Sequence, residues 1–317
     1  MHIQSLSASV RHVFCRTTIL SSAAILSAAC WGLGTVMSRA VLDTLPPFTL
    51  LVIQLGSSVL FLSLLSTISG KPPITSVREL RAGLSGLLEP GLAYLLGTLG
   101  LALTTASSAS LIGAIEPVAV IGFAWLFLRE RITWRIGLLA LIAVIGVGLV
   151  SASDGAASHR GSVGGDLLIL LGTLAAALYV VATRRLLGDR EPLTLTLVQQ
   201  TVGLFGVAAL WLAASFFQHP VAALPPVAPS IFLQAIISGI IQYALAFWLY
   251  LIALRGLPAS IAAFYLTLIP LFGVGGASVF LGERLTFWQG IGAACILGTL
   301  ILLSARRQAE HQEYEGC

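Results

Sequence analysis

The feature that most constrains this chain is a series of apolar stretches, about 18 to 25 residues each, that recurs along the whole sequence. Each is long enough to cross a bilayer as an α-helix, and the alternating pattern of membrane β-strands is missing from the sequence. Only 9% of the residues are charged and 57% are hydrophobic, whereas soluble domains carry about 25% charged residues. The sequence therefore predicts an all-α polytopic membrane protein, because helices satisfy their own backbone amides in lipid.

Turn-forming Gly, Pro and Asp residues divide the sequence into ten predicted transmembrane helices. The connections are short, so we expect no second, soluble domain. The predicted domains are a cytoplasmic segment 1–19, a five-helix repeat 20–152, a linker 153–162, a second five-helix repeat 163–304 and a cytoplasmic tail 305–317. The ten helices are predicted at 20–42, 47–68, 80–102, 105–128, 134–152, 163–187, 193–217, 229–252, 257–281 and 286–304.

The basic residues indicate how the chain is oriented in the membrane. With the N-terminus in the cytoplasm, all of the 17 Lys and Arg residues except Arg39, Arg160 and Arg284 fall in cytoplasmic segments. This is the bias of the positive-inside rule, and it predicts a multi-pass inner-membrane protein with both termini cytoplasmic. The scattered distribution also argues against a nucleic-acid partner, which requires a basic patch on one face.

A signal peptide is an alternative for the N-terminus, because Arg11 and Arg16 precede an apolar stretch that ends in SAAC at Cys30. Two features favour a retained helix. Ser27 stands where such a cleavage site normally has leucine, and the hydrophobic run continues through Val41, which is too long for a cleaved signal sequence. We therefore count this stretch as the first transmembrane helix.

The second half of the sequence repeats the first. A gapless alignment of ASSASLIGAIEPVAVIGFAWLFLRERITWRIG with ASIAAFYLTLIPLFGVGGASVFLGERLTFWQG pairs Pro117 with Pro270. A second alignment, of PFTLLVIQ with PLTLTLVQ, pairs Gln54 with Gln199, and we expect these residues and Gln200 to form interhelical hydrogen bonds. Because each repeat has an odd number of helices, the second must cross the membrane in the opposite direction. Secondary transporters with such inverted repeats bind substrate near the midplane, between the halves.

The fourth helix of each repeat has a central proline and ends in LRER (128–131) or LGER (281–284). Together with the two five-helix repeats, these motifs resemble the EamA-type permeases of the drug/metabolite transporter superfamily over nearly the whole chain. The resemblance implies a ten-helix bundle whose central cavity is lined by the first, third and fourth helices of each repeat. It also implies a small polar or amphipathic substrate, often a metabolite leaving the cell. We interpret the Glu130-Arg131 and Glu283-Arg284 pairs as helix-termination and orientation signals rather than as substrate ligands.

Two carboxylates, Glu89 and Glu116, lie deep in predicted helices, and each precedes a proline. A charge at the bilayer centre costs about 2.5 to 3.5 kcal/mol, so such residues usually face a protein interior or a water-filled path. The two acids lie at similar depth in neighbouring antiparallel helices and can face one chamber. Pro90, Pro117 and Pro270 are predicted helix kinks that free backbone carbonyls. This combination suits a proton, a cation or a substrate amine, and the alternative is a pair of neutral acids that serve packing alone.

Aromatic and amide side chains complete the predicted chamber. Trp31 and Tyr179 sit mid-span in the first helix of each repeat. Gln242 aligns with Glu89, so the second half retains a polar group there without the charge, and any protonatable site belongs to the first half. Besides the two acids, the predicted chamber residues are Trp31, Tyr94, Tyr179, Gln242, Tyr243 and Tyr265.

The sequence contains no recognisable catalytic motif. SGKPP lacks the upstream glycine of a phosphate-binding loop, and neither H-E-x-x-H nor G-x-S-x-G occurs. The four cysteines have no metal-ligand spacing, so we expect no metal and no cofactor. We predict a non-enzymatic permease that exports a small-molecule substrate across the lipid bilayer, downhill or with protons as the candidate coupling ion. A non-transporting sensor or scaffold and an intramembrane lipid-handling protein are the alternatives, and monomer and homodimer are both open.

Overall fold

The predicted all-helical architecture is confirmed for the part of the chain that the structure describes. The structure, a computed structural model, describes all residues except 1, 43, 71–75, 104–111, 114, 152–161, 218–227, 282–285, 316 and 317. Glu283, Arg284 and most of the predicted linker 153–162 therefore lie outside the described residues. The α-helices are α1 His2–Leu42, α2 Pro47–Ile68, α3 Val77–Gly83, α4 Ala93–Leu103, α5 Glu116–Phe123, α6 Trp134–Ser151, α7 Val163–Leu187, α8 Pro192–Phe217, α9 Pro229–Gly239, α10 Ala246–Gly256, α11 Ala259–Leu266, α12 Ile269–Leu281 and α13 Phe287–Glu315.

Long apolar helices make this a multi-pass membrane protein. Within the described residues, 6 stretches are long and apolar enough to cross a bilayer, and three shorter apolar helices accompany them. The long stretches are Thr18–Ser38, Pro47–Ile68, Val163–Leu187, Pro192–Leu210, Pro229–Gly256 and Ala259–Gly276. The shorter helices are Glu116–Leu128, Trp134–Val150 and Phe287–Leu303.

Both terminal helices extend beyond their predicted bounds. Helix α1 begins at His2 although the apolar run begins near residue 20, and α13 continues to Glu315 although its apolar run ends near residue 304. The prediction followed hydropathy, which marks the lipid-spanning part of a helix and not its ends. Since neither Gly nor Pro occurs between His2 and Trp31, nothing in the local sequence stops α1 from starting early.

The third helix of the first half is broken at Glu89. Its φ of −148° and ψ of 125° are extended rather than helical, and a 3₁₀ turn, Leu84–Leu87, precedes the break. The corresponding part of the second half, Ile240–Leu245, is a π-helical turn that joins α9 to α10 without interruption. Tyr243 stands there in place of Pro90, and proline removes a helical hydrogen bond that tyrosine keeps.

The other two prolines stand in the first turn of a helix. Pro117 lies in the first turn of α5 and Pro270 in the first turn of α12. Thr267 and Leu268 form a turn that separates α11 from α12, so the predicted helix 257–281 is two helices. A first-turn proline is favourable because its missing N–H would have no partner there.

The two halves are interlocked rather than side by side. Helix α4 packs against α7, α1 against α10 and α12, α2 against α8 and α9, and α6 against α13. Each of these contacts joins the first half to the second. Glycines permit the closest approach between α6 and α13, where a Cβ atom at Gly292 would lie 2.5 Å from the carbonyl oxygen of Gly146.

Candidate functional site

The structure brings Glu89 and Glu116 close enough for their charges to interact. Glu89 is the extended residue at the break between α3 and α4, and Glu116 is the first residue of α5. Both side chains are half-buried. Among the described residues, no Lys or Arg side chain pairs with either carboxyl. Carboxyl groups so deep in a bundle require water, a proton or a ligand as partner.

A cavity of about 290 Å³ adjoins Glu116. Its walls come from both halves: Thr35 of α1, Glu116 of α5 and Val147 of α6 line it together with Thr267 and Ile269 of the second half. Glu116 and Ile269 are the first residues of α5 and α12, so two helix N-termini open onto the cavity. The first N–H groups of a helix lack intrahelical partners and carry partial positive charge. The cavity therefore offers a carboxyl group together with two electropositive helix ends.

An aromatic cluster occupies the centre of the bundle beside Glu89. Phe247 is its middle member, with ring centroids 4.9 Å from Trp31, 5.9 Å from Tyr179 and 6.3 Å from Tyr243. Tyr94 extends the cluster, since its ring lies 5.3 Å from that of Tyr243. The cluster thus contains four of the six predicted aromatic and amide residues, and Phe247 was not among those six.

Tyr250 is a further residue of this cluster that the sequence prediction omitted. Its ring lies edge-on to Trp31, with centroids 5.5 Å apart. Its hydroxyl is buried and has no hydrogen-bond partner among the described residues, while it interacts electrostatically with Glu116 and Glu89. A buried hydroxyl without a protein partner marks a position for water or a ligand.

The remaining two predicted chamber residues are engaged elsewhere. Gln242 accepts a hydrogen bond of 2.8 Å from Ser38, so its amide belongs to a contact between α1 and the π-helical turn. The Tyr265 hydroxyl donates a hydrogen bond of 2.9 Å to Ser21 Oγ. This bond fixes α11 to α1 and directs the hydroxyl to Ser21 rather than to the acids.

Two buried glutamines hold helices together, as the sequence predicted for Gln54 and Gln199. Gln54 Nε2 donates to Ser38 Oγ at 2.7 Å and to Ser238 Oγ at 2.9 Å. It therefore connects α2 to α1 of its own half and to α9 of the other half. Gln200, for which the same role was predicted, has no hydrogen-bond partner among the described residues.

The contacts of Gln199 repeat those of Gln54. Gln199 Nε2 donates to Ser85 Oγ at 2.8 Å and to Thr183 Oγ1 at 2.9 Å. It therefore connects α8 to α7 of its own half and to the third helix of the other half. Each partner occupies the aligned position in the two sequence repeats. The aligned pairs are Gln54 with Gln199, Ser38 with Thr183, and Ser85 with Ser238.

Comparison with known proteins agrees with this architecture. The EamA-like transporter family matches residues 19–152 and 163–305. An uncharacterized transporter of Bacillus subtilis, YvbV, is 30% identical over 285 residues, which are 88% of this chain and 90% of the relative. A probable terminal-alkyne amino-acid exporter of Streptantibioticus cattleyicolor is 27% identical over 66% of this chain and 67% of its own.

A solved crystal structure shares the fold. It has 20% sequence identity and a TM-score of 0.74, and the match covers 92% of this chain and 98% of that chain. The family match extends over both halves of the sequence. The protein is a membrane transporter that belongs to the EamA-like transporter family.

Proposed function

We propose that the protein is a secondary transporter of the inner membrane that exports a small amino-acid-like solute by alternating access. In this proposal the chain crosses the membrane ten times as two inverted five-helix repeats, 20–152 and 163–304, and both termini are cytoplasmic. The observation that carries the proposal is Glu116, which lines a cavity shared by both halves and interacts electrostatically with Glu89. Acids in the membrane region without basic partners are characteristic of substrate and proton pathways.

The two glutamine clusters support the inverted repeat. An axis in the membrane plane relates the halves of such transporters, so aligned residues make equivalent contacts. Gln54 and Gln199 each join the first helix of their own half to the third helix of the other half. Shared hydrophobicity alone does not produce such reciprocal polar contacts, and a duplicated, inverted unit does.

The cavity at Glu116, together with the side chains that interact with Glu116, supports a zwitterionic solute. An ammonium group can donate hydrogen bonds to the carboxyls of Glu89 and Glu116 and to the unpartnered Tyr250 hydroxyl. A carboxylate is favoured at the N-termini of α5 and α12, as in other transporters with discontinuous helices. The aromatic cluster then covers the apolar part of the solute. The printed name of the Streptantibioticus relative, a probable amino-acid exporter, agrees with this class.

Protons are the coupling ion in this proposal. A carboxyl group that binds an ammonium group can bind a proton instead, so solute and proton compete for Glu89 and Glu116. Inward movement of protons then exchanges for outward movement of solute.

Flux in liposomes tests the proposed function. Purified protein is reconstituted and supplied with zwitterionic amino acids, the corresponding decarboxylated amines, and the N-acetylated amino acids. We expect an imposed pH gradient to drive zwitterions about tenfold or more faster than protein-free liposomes, with the two analogue series slower because each lacks one recognised group. Flux no faster than in protein-free liposomes for all three series would contradict a transport function. Preference for the N-acetylated series would contradict recognition of the amine.

A further inference from the structure

Glu130 joins the two halves at one end of the bundle. Its carboxylate accepts hydrogen bonds from the backbone N–H of Ala259 at 2.8 Å and of Ser260 at 3.0 Å. It also accepts a hydrogen bond from the Ser260 hydroxyl. All three donors belong to the first turn of α11, in the other half of the chain. Glu130 thus does more than end its own helix, which was the role predicted from the sequence.

The local backbone aims this side chain at α11. The helix that begins with α5 ends in a π-helical turn, Ala124–Leu128, and Arg129 follows in the left-handed conformation with φ of 55°. The backbone N–H of Glu130 donates back to the carbonyl of Ala124 at 3.3 Å. The chain therefore reverses at Arg129, and the Glu130 carboxylate meets orphan N–H groups of α11, where a negative charge is favourable.

A second contact joins the same helix to α1. Tyr265, on α11, donates to Ser21 of α1. Leu20, next to Ser21, packs so closely that a Cβ atom at Gly256 would lie 2.3 Å from its Cδ1. Helix α11 is therefore held at its first turn by Glu130 and near its last turn by α1.

This end of the bundle is opposite to the cavity. Leu128, where the helix ends just before Glu130, lies about 18 Å from Glu116 along the helix axis, at 1.5 Å per residue. Between them, Val120 of α5 and Ala263 of α11 are 0% exposed, so the α5–α11 contact is tightly closed. The exposed arginines 129, 131 and 255 mark this end as the cytoplasmic one under the positive-inside rule.

We propose that Glu130 is a latch that holds the cytoplasmic end of the pathway closed between α5 and α11. The latch is formed in this structure, and it breaks when the cytoplasmic end opens to admit solute. Glu130 acts through the position of α11 and does not touch the solute. The proposal rests on the alternating-access function proposed above, although its test does not require transport.

Thiol accessibility behind the latch tests the proposal. A reporter, Ala263→Cys, is placed in protein whose native cysteines are replaced by serine, and a membrane-impermeant maleimide is added from the cytoplasmic side. We expect Glu130→Ala to raise the labelling rate about tenfold, because three hydrogen bonds to a charged group are lost. Glu130→Gln, which keeps one acceptor oxygen, is expected to give a smaller increase. Glu79→Ala, which removes a carboxylate from the first turn of α3, is the matched control.

An unchanged labelling rate in both Glu130 variants would overturn the latch. Where Glu130→Ala does not yield folded protein, Ser260→Ala tests the latch instead. It removes one of the three hydrogen bonds and is expected to raise the labelling rate about threefold. Labelling that rises in protein without flux in liposomes would support the latch and contradict the proposed function. Flux in liposomes together with unchanged labelling in the Glu130 variants would support the proposed function and contradict the latch.

Discussion

Replacing Glu116 by glutamine is expected to abolish the increase in solute flux that an imposed pH gradient produces. The amide has nearly the same size as the carboxyl group but neither binds a proton nor carries a charge, so it cannot alternate between proton and ammonium. Glu89→Gln is expected to have the same effect, and it gives the first half the amide that the second half carries at Gln242. Flux is measured in liposomes as a function of the imposed pH gradient.

Two comparisons make this result specific. Downhill movement of solute, without a pH gradient, is expected to persist in both variants at a reduced rate, because the aromatic cluster and the helix N-termini remain. Glu79→Gln, outside the membrane-spanning helices, is expected to transport like the unmodified protein. Flux that responds to the pH gradient in both Glu116→Gln and Glu89→Gln would remove the acids from the coupling mechanism, and they would then serve packing.

Gly86→Ala is expected to destabilise the protein strongly. A Cβ atom at Gly86 would lie 2.0 Å from the carbonyl oxygen of Gln199, which is impossible without displacing the backbone of α8. Gly239 aligns with Gly86 in the sequence repeat, and Gly239→Ala is expected to have the same effect. A Cβ atom at Gly239 would lie 2.5 Å from Cα of Gln54. Overpacking of this kind costs about 1 to 3 kcal/mol, and we expect the unfolding temperature of each variant in detergent to fall by roughly 2 to 8 °C.

Gly97→Ala is the matched control, because nothing lies within 4 Å of a Cβ atom there. Alanine is favoured over glycine inside a helix by about 0.5 to 1 kcal/mol, so the unfolding temperature is expected to stay the same or rise. Tryptophan fluorescence during heating gives the measurement. Equal unfolding temperatures for the Gly86 and Gly97 variants would contradict the close approach of the two halves at Gln199.

Hydropathy and duplication predicted much of the architecture, since both are properties of local sequence. Apolar length predicted the long apolar helices, and the alignment of Gln54 with Gln199 predicted two residues that bond between helices. Glu89 and Pro90 marked the point where a helix breaks. The count of ten transmembrane helices remains a prediction. The inverted repeat also remains a prediction, and the glutamine contacts support it.

Contacts between segments that are distant along the chain could not be predicted from local sequence. The partner of Glu130 is the first turn of α11, far along the chain, and LRER alone indicates only a helix end. Tyr250 could have been predicted from the sequence, because Tyr243, Phe247 and Tyr250 recur at the spacing of one helix face. Hydropathy does not distinguish such a face from ordinary packing, whereas the unpartnered hydroxyl in the structure does.

Water access to the cavity is the most direct test of the central claim, that the deep acids are tolerated because they adjoin an aqueous pathway between the two halves. Thr35→Cys, which lines the cavity with Glu116, is compared with Leu60→Cys, an apolar surface position that is 73% exposed. We expect a membrane-impermeant maleimide to label Thr35→Cys in liposomes, more slowly when transported solute is present, and to leave Leu60→Cys unlabelled in the lipid. Labelling of neither position, or of Leu60→Cys alone, would contradict the account.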